Sequence, residues 1–140
     1  MINGFKPVDI SITSDDKGLW VDTFMDGKAR YFDITDPFNP VQTFEEQIGS
    51  QVNMISQSWD GKRAYFSTSL LGNWDKTGSA DEQWVKLYAW DEAKLELTHK
   101  WTVDFYKEKL GRAHQMRFGA YSLYSSQGKN NNKEVTMLDK

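Results

Sequence analysis

"DISITSDDKGLWV" occupies Asp9–Val21 and "NMISQSWDGKRAYF" occupies Asn53–Phe66, and the second reads as a copy of the first. Laid side by side, Ser14 and Asp16 fall on Ser58 and Asp60, 44 residues later. Each copy leads into a second strand-like stretch with aromatic residues, "ARYFDIT" (Ala29–Thr35) or "VKLYAWD" (Val85–Asp91). Each then has a further one, "VQTFEEQI" (Val41–Ile48) or "LELTHKWTV" (Leu95–Val103). A four-strand unit recurring every 40 to 50 residues or so has the spacing of a propeller blade. The fold class expected is therefore all-β: about two blades of a larger β-propeller, plus a closing strand.

Outward from the repeat, the chain keeps the same texture. Short apolar runs rich in β-branched and aromatic residues are separated by Asp, Gly, Asn and Pro clusters, the pattern of hairpins. Strands are expected at Val8–Thr13, Gly18–Phe24, Lys28–Ile34, Val41–Ile48, Asn53–Gln57, Arg63–Ser69, Gln83–Trp90, Leu95–Val103 and Gln115–Tyr124. "MDG" (Met25–Gly27) and "SWDGKR" (Ser58–Arg63) fit hairpin turns. "TDPFNP" (Thr35–Pro40) carries two prolines and should leave the sheet as a surface loop, because proline cannot donate to a ladder. The second unit carries an insertion, "LGNWDKTGSADE" (Leu71–Glu82). The strand Gln115–Tyr124 has no third unit around it and is expected to close a ring. Residues 1–127 read as one propeller segment, and the polar tail 128–140 is expected to be disordered.

Two blades cannot close a ring that needs about four to eight. Alone they would leave raw edges and an uncovered apolar flank. The chain is thus expected to be a fragment of a longer propeller, or to be completed by another chain.

Composition bounds the partners. The 140 residues suit one domain, and six Trp, six Tyr and eight Phe supply a core. A net charge of −3, with no large basic face, argues against nucleic acid. No apolar run reaches the roughly 18 residues of a membrane span. "MINGFKPVDI" lacks a charged region followed by an apolar stretch, so it does not read as a signal peptide. The absence of cysteine excludes disulfides, thiolate metal sites and a cysteine nucleophile on this chain, and leaves the redox compartment open.

Few residues stand out for chemistry. His114, in "GRAHQMRFG", sits at the mouth of the last strand. It is either a partly exposed histidine bonded to a backbone carbonyl or a ligand pointing into a central channel. A metal needs three or four ligands, and His99 and His114 are the only histidines, on different strands. His99, alternating with apolar neighbours, is expected on a solvent face. Asp15, Asp16, Asp33, Asp36, Asp60 and Asp75 fall mostly in turns, where Asp caps backbone. Asp15–Asp16 lacks the spacing of a calcium loop. Arg117 should leave the sheet on the opposite face from Met116 and Phe118, and could bind an anion if that face lines a channel. Trp74 is expected to pack the insertion down. No Ser-His-Asp order, phosphate loop or paired-carboxylate motif is present.

Three stretches together carry a resemblance. "YFDITDPFNPV" (Tyr31–Val41), "SWDGKRAYFSTSLLGNWDK" (Ser58–Lys76) and "VDFYKEKLGRAHQMRFG" (Val103–Gly119) resemble, in order and spacing, the C-terminal part of the selenium-binding protein family, which includes methanethiol oxidases. "RFGAYSLYSS" is closer to its bacterial branch. The resemblance covers roughly Val8 to Ser126 here and about the last third of a family member.

It implies a β-propeller and copper held by histidines from distant parts of the chain, with His114 as the position carried over as copper ligand. It implies oxidation of a small thiol, methanethiol, by oxygen, giving formaldehyde, hydrogen sulfide and hydrogen peroxide. It also implies a periplasmic location, with a cytoplasmic one as the alternative because no export signal is legible. The partner it implies is the remainder of the propeller, an N-terminal segment holding the other histidines and the family's selenium-associated cysteine. The 140 residues alone would then neither bind copper tightly nor turn over substrate. The competing reading is a non-catalytic propeller fragment that serves as a binding or scaffold module. A weaker one is a sugar- or peptide-binding propeller using exposed tryptophans.

Overall fold

The computed structural model describes residues 6–68 and 82–116. These form eight strands: β1 (Pro7–Ile12), β2 (Gly18–Thr23), β3 (Lys28–Asp33), β4 (Val41–Gln47), β5 (Val52–Gln57), β6 (Arg63–Thr68), β7 (Trp84–Asp91) and β8 (Glu96–Asp104). They build two four-stranded antiparallel meanders, β1-β2-β3-β4 and β5-β6-β7-β8. Every boundary of these eight lies within one residue of the sequence expectation. Turn chemistry explains this accuracy. Phe24–Gly27 turns with Gly27 at φ 62°, and the Pro loop leaves the sheet with Phe38 exposed to solvent. Most of the insertion, with Trp74 and Asp75, lies outside the described residues. So do Arg117, most of the expected strand Gln115–Tyr124, and the tail 128–140.

The repeat is real, but its register differs by one residue from the sequence reading. The Thr13 amide donates to the Gly18 carbonyl and the Ser58 amide to the Arg63 carbonyl. Thr13 Oγ1 donates to Asp15 Oδ1 at 2.6 Å, as Ser58 Oγ does to Asp60 Oδ1 at 2.5 Å. Asp16 (φ 60°) then stands where Gly61 (φ 67°) stands. The spacing is 45, matching Thr13 with Ser58 and Asp15 with Asp60, not Ser14 and Asp16 at 44. Side-by-side reading favoured serine over serine, whereas the turn needs only a hydroxyl, and threonine supplies one.

This equivalence supplies a test. A Cβ on Gly61 would meet nothing within 4 Å, so Gly61→Ala costs only the left-handed backbone. The expected loss is about 1 kcal/mol, read by denaturant melts, with Gly61→Asp losing less because Asp tolerates that conformation.

Alternation decides which faces meet. Ser11, Trp20, Tyr31 and Phe44 stand in one cross-strand row of the first sheet. That face packs on Ile55, Phe66 and Trp90 of the second sheet, and the inner strands β1 and β5 lie side by side. Trp20 is the hub of the seam, with ring centroids 4.8 Å from Trp90, 4.9 Å from Tyr31 and 5.9 Å from Phe66. Edge-on and tilted contacts of this kind suit aromatic quadrupoles.

The arrangement is that of neighbouring propeller blades, and the 45-residue equivalence shows what each face does. Ile55 faces the first sheet and is 3% exposed, while its counterpart Ile10 is 59% exposed. Ile12 adds to that apolar flank. Among the described residues no third sheet lies against it.

Candidate functional site

Polar side chains of the inner strands and of the turn after β1 stitch the two blades together. Asp9 Oδ2 accepts the Ile55 amide at 3.0 Å, Gln57 Nε2 donates to Ser11 Oγ at 2.8 Å, and Ser14 Oγ donates to the Trp59 carbonyl at 2.9 Å. Further out, the Tyr31 hydroxyl donates to Glu92 Oε1 at 2.7 Å and Lys86 Nζ to the Ile48 carbonyl at 2.5 Å. Lys86 also stands 4.0 Å from the Trp84 ring centroid, and burial pushes its ammonium below the usual lysine range against the pull of Glu82.

On the far face of the second blade lies the stretch that carries His114. Ser67 Oγ on β6 donates to the His114 carbonyl, and Ser56 Oγ on β5 donates to the Met116 carbonyl at 2.5 Å. Ala113 is buried, whereas the His114 side chain is exposed. Ser56 and Ser67 stand 45 residues after Ser11 and Asp22. The face that receives residues 113–116 is thus the counterpart of the first blade's seam face, and these residues occupy the place of a next inner strand. The sequence placed His114 at a loop-to-strand junction, but the two serines that receive it drew no notice. Their signal was available, since Ser11 and Ser56 align once the spacing is set at 45.

His99 lies on the outermost strand β8, exposed, with Nε2 2.9 Å from Thr102 Oγ1 and its ring 5.2 Å from Tyr88. It and His114 are not brought together: one lies on the first-blade side of the second sheet, the other chain stretch on the opposite side.

The turn carboxylates behave as caps. Asp15 is held below the usual carboxylate range by the Thr13 hydroxyl and then the Lys17 amide. For Asp60 burial pulls upward, but the Ser58 hydroxyl and Lys62 amide outweigh it. Asp33 accepts the Thr35 amide at 2.8 Å, and Asp36 accepts the Phe38 amide at 3.1 Å. A cleft of about 500 Å³ opens between these turns, lined by Asp15, Asp60, Tyr31 and Trp90 among others, and its turn carboxylates are already engaged.

Asp22 is different, and sequence reasoning missed it. It sits in "GLWVDT" on the same face as Trp20, fully buried in the seam. Its Oδ1 accepts the Asp9 amide at 2.9 Å, while Oδ2 has no hydrogen-bond partner among the described residues. Burial, and then the neighbouring Asp9 charge, push its carboxyl up to about 8. At neutral pH it is mostly a neutral acid.

Copper, which the resemblance implies, needs three or four donors. Among the described residues no three of His, Cys, Asp or Glu gather to hold a metal ion. An exposed imidazole on a pinned backbone has the right chemistry for one donor. The described residues alone do not complete the site.

The comparisons agree with the two-blade fold. A family model described as 56kDa selenium binding protein (SBP56) matches residues 6–125. A methanethiol oxidase of Ruegeria pomeroyi is 61% identical over 120 residues, covering 86% of this chain and 27% of that protein. One from Hyphomicrobium sp is 55% identical over 124 residues, covering 89% and 28%. The chain therefore spans little more than a quarter of the length of the curated relatives it matches.

Among solved structures, a hypothetical selenium-binding protein from Sulfolobus tokodaii has a TM-score of 0.59 at 27% identity, over 71% of this chain and 26% of that one. The Cps50 (Swd1) β-propeller domain of Myceliophteria thermophila has 0.53 at 11% identity, over 70% and 28%, which speaks to the fold alone. With the blade repeat, the seam and a family match across nearly all of its length, the chain belongs to the 56 kDa selenium-binding protein family.

Proposed function

We propose that this chain is a two-blade sector of a methanethiol oxidase, which converts methanethiol, oxygen and water into formaldehyde, hydrogen sulfide and hydrogen peroxide. The observation that carries this reading is the 61% identity, over 120 residues, to a protein named methanethiol oxidase. In this reading copper is the cofactor and would supply electron transfer to oxygen. His114 is one of its ligands, the other donors come from the remainder of the propeller, and the assembled protein works in the periplasm. What the described residues contribute is binding and orientation: a buried seam, and a backbone anchored at His114 and Met116 so that the imidazole is presented rather than packed away.

The test joins this chain to the N-terminal part of the Ruegeria pomeroyi relative and measures methanethiol-dependent formation of sulfide and peroxide, with copper content by elemental analysis. Turnover is expected. His114→Ala in that chimera should weaken copper retention at least about tenfold, the usual scale for disturbing a ligand set. Unchanged copper content and rate would remove His114 from the site. A folded chimera with neither copper nor turnover would leave the scaffold reading in place.

A further inference from the structure

We propose that Ser67 and Ser56 are positioning residues for His114, two hydroxyls from neighbouring strands of one blade that fix the backbone at the imidazole-bearing residue and two residues after it. The inference deepens the reading above and, for its metal-binding consequence, rests on it.

Residues 111–116 belong to neither sheet ladder, so no regular backbone pairing explains how this stretch keeps its path. Three features do. Ala113 is 1% exposed and plugs its methyl group into the protein. One residue later, the fully buried Ser67 hydroxyl holds the His114 carbonyl. Two residues after that, the half-buried Ser56 hydroxyl holds the Met116 carbonyl at 2.5 Å.

A buried hydroxyl such as that of Ser67 needs a partner, and both serines find theirs on a stretch that has no ladder of its own. The donors come from β5 and β6, which are themselves paired in register, Ser56 opposite Tyr65 and Met54 opposite Ser67. The spacing between the anchors is therefore set by the sheet and not by the stretch. The alternation of extended backbone then puts Ala113 inward and His114 outward. The other seam is bridged differently, with Ser11 Oγ accepting from Gln57 Nε2 and Asp9 Oδ2 accepting the Ile55 amide. At that seam the grip falls on β5, a ladder strand. Here it falls on the segment bearing an exposed imidazole.

The test compares the chain with its Ser56→Ala/Ser67→Ala variant by backbone ¹⁵N relaxation. Order parameters at residues 113–116 should fall from rigid values near about 0.85 to below about 0.6, with β1–β4 unchanged. Ser56→Thr/Ser67→Thr, which keeps both hydroxyls, should restore them. In the chimera, the alanine variant should change the copper(II) electron paramagnetic resonance signature and the threonine variant should not. Unchanged order parameters at 113–116 would overturn the anchoring. Order parameters that fall, with a copper signal indifferent both to the serines and to His114→Ala, would uphold the anchoring and sink the copper reading instead.

Discussion

Asp22→Asn should stabilise this chain by on the order of 4 kcal/mol at pH 7, and should flatten its stability between about pH 4 and pH 8. The reason is where the carboxyl sits. Asp22 is fully buried between the two blades, its Oδ2 has no partner among the described residues, and Asp9 lies beside it. Burial first, and the Asp9 charge second, raise its pKa from the ordinary 3.8 to about 8.

The folded chain therefore holds a proton that the unfolded chain releases. Below about pH 4 both states keep it, and this group costs nothing. As pH rises from there to about 8 the unfolded state alone gains by ionising, and stability falls by about 1.4 kcal/mol per unit. Above about 8 both states are ionised and the loss levels off. Asparagine keeps an oxygen for the Asp9 amide and offers an N–H to the Asp9 carboxylate, with no proton to lose.

Thermal or denaturant melts from pH 3 to pH 9 check this. The acid limb should survive the substitution, because it belongs to carboxyls held low such as Asp26, where the Arg30 and Thr23 hydrogen bonds outweigh burial. A variant whose neutral-to-alkaline slope matches the parent would show that Asp22 is ionised in the fold.

Trp20→Ala should cost about 3–5 kcal/mol, the range for truncating a buried large aromatic. That approaches the whole stability of an ordinary domain of about 5–15 kcal/mol. Trp20 is 1% exposed and touches both blades at once, with Trp90, Phe66, Tyr31 and Phe44 all within 6.0 Å between ring centroids. Its removal opens a cavity in the seam rather than within one sheet. The two blades should then separate more readily than either loses its own ladder. Near-ultraviolet circular dichroism should fade at a lower denaturant concentration than the far-ultraviolet strand signal. Coincident midpoints would mean that the blades unfold as one unit and that the seam is no weaker than the sheets.

The strands were legible because each depends on its own few residues: β-branched and aromatic runs of period two, bounded by Asp-Gly, Pro and Asn. The hairpin turns and the exposed loop at Thr35–Pro40 followed from the same local chemistry. The repeat was legible too, one residue out of register, since a threonine doing the work of a serine hides from letter matching. The solvent exposure of His99 and the aspartates as turn caps were likewise readable from their neighbours.

What the sequence by itself determined is the list of strands, their grouping into two four-strand units and membership in the selenium-binding protein family, because these are recorded in short-range patterns and in their recurrence. What only the tertiary structure decided is which faces meet. Ile10 and Ile55 are equivalent in the repeat, yet one is bare and the other buried. Asp22 looks like any strand aspartate until β5 closes over it. Ser56 and Ser67 become anchors only when residues 113–116 return to them across some fifty positions of chain. Burial, proton affinity and hydrogen-bond partners belong to surfaces brought together from far apart, and no window of the sequence contains both sides of such a surface.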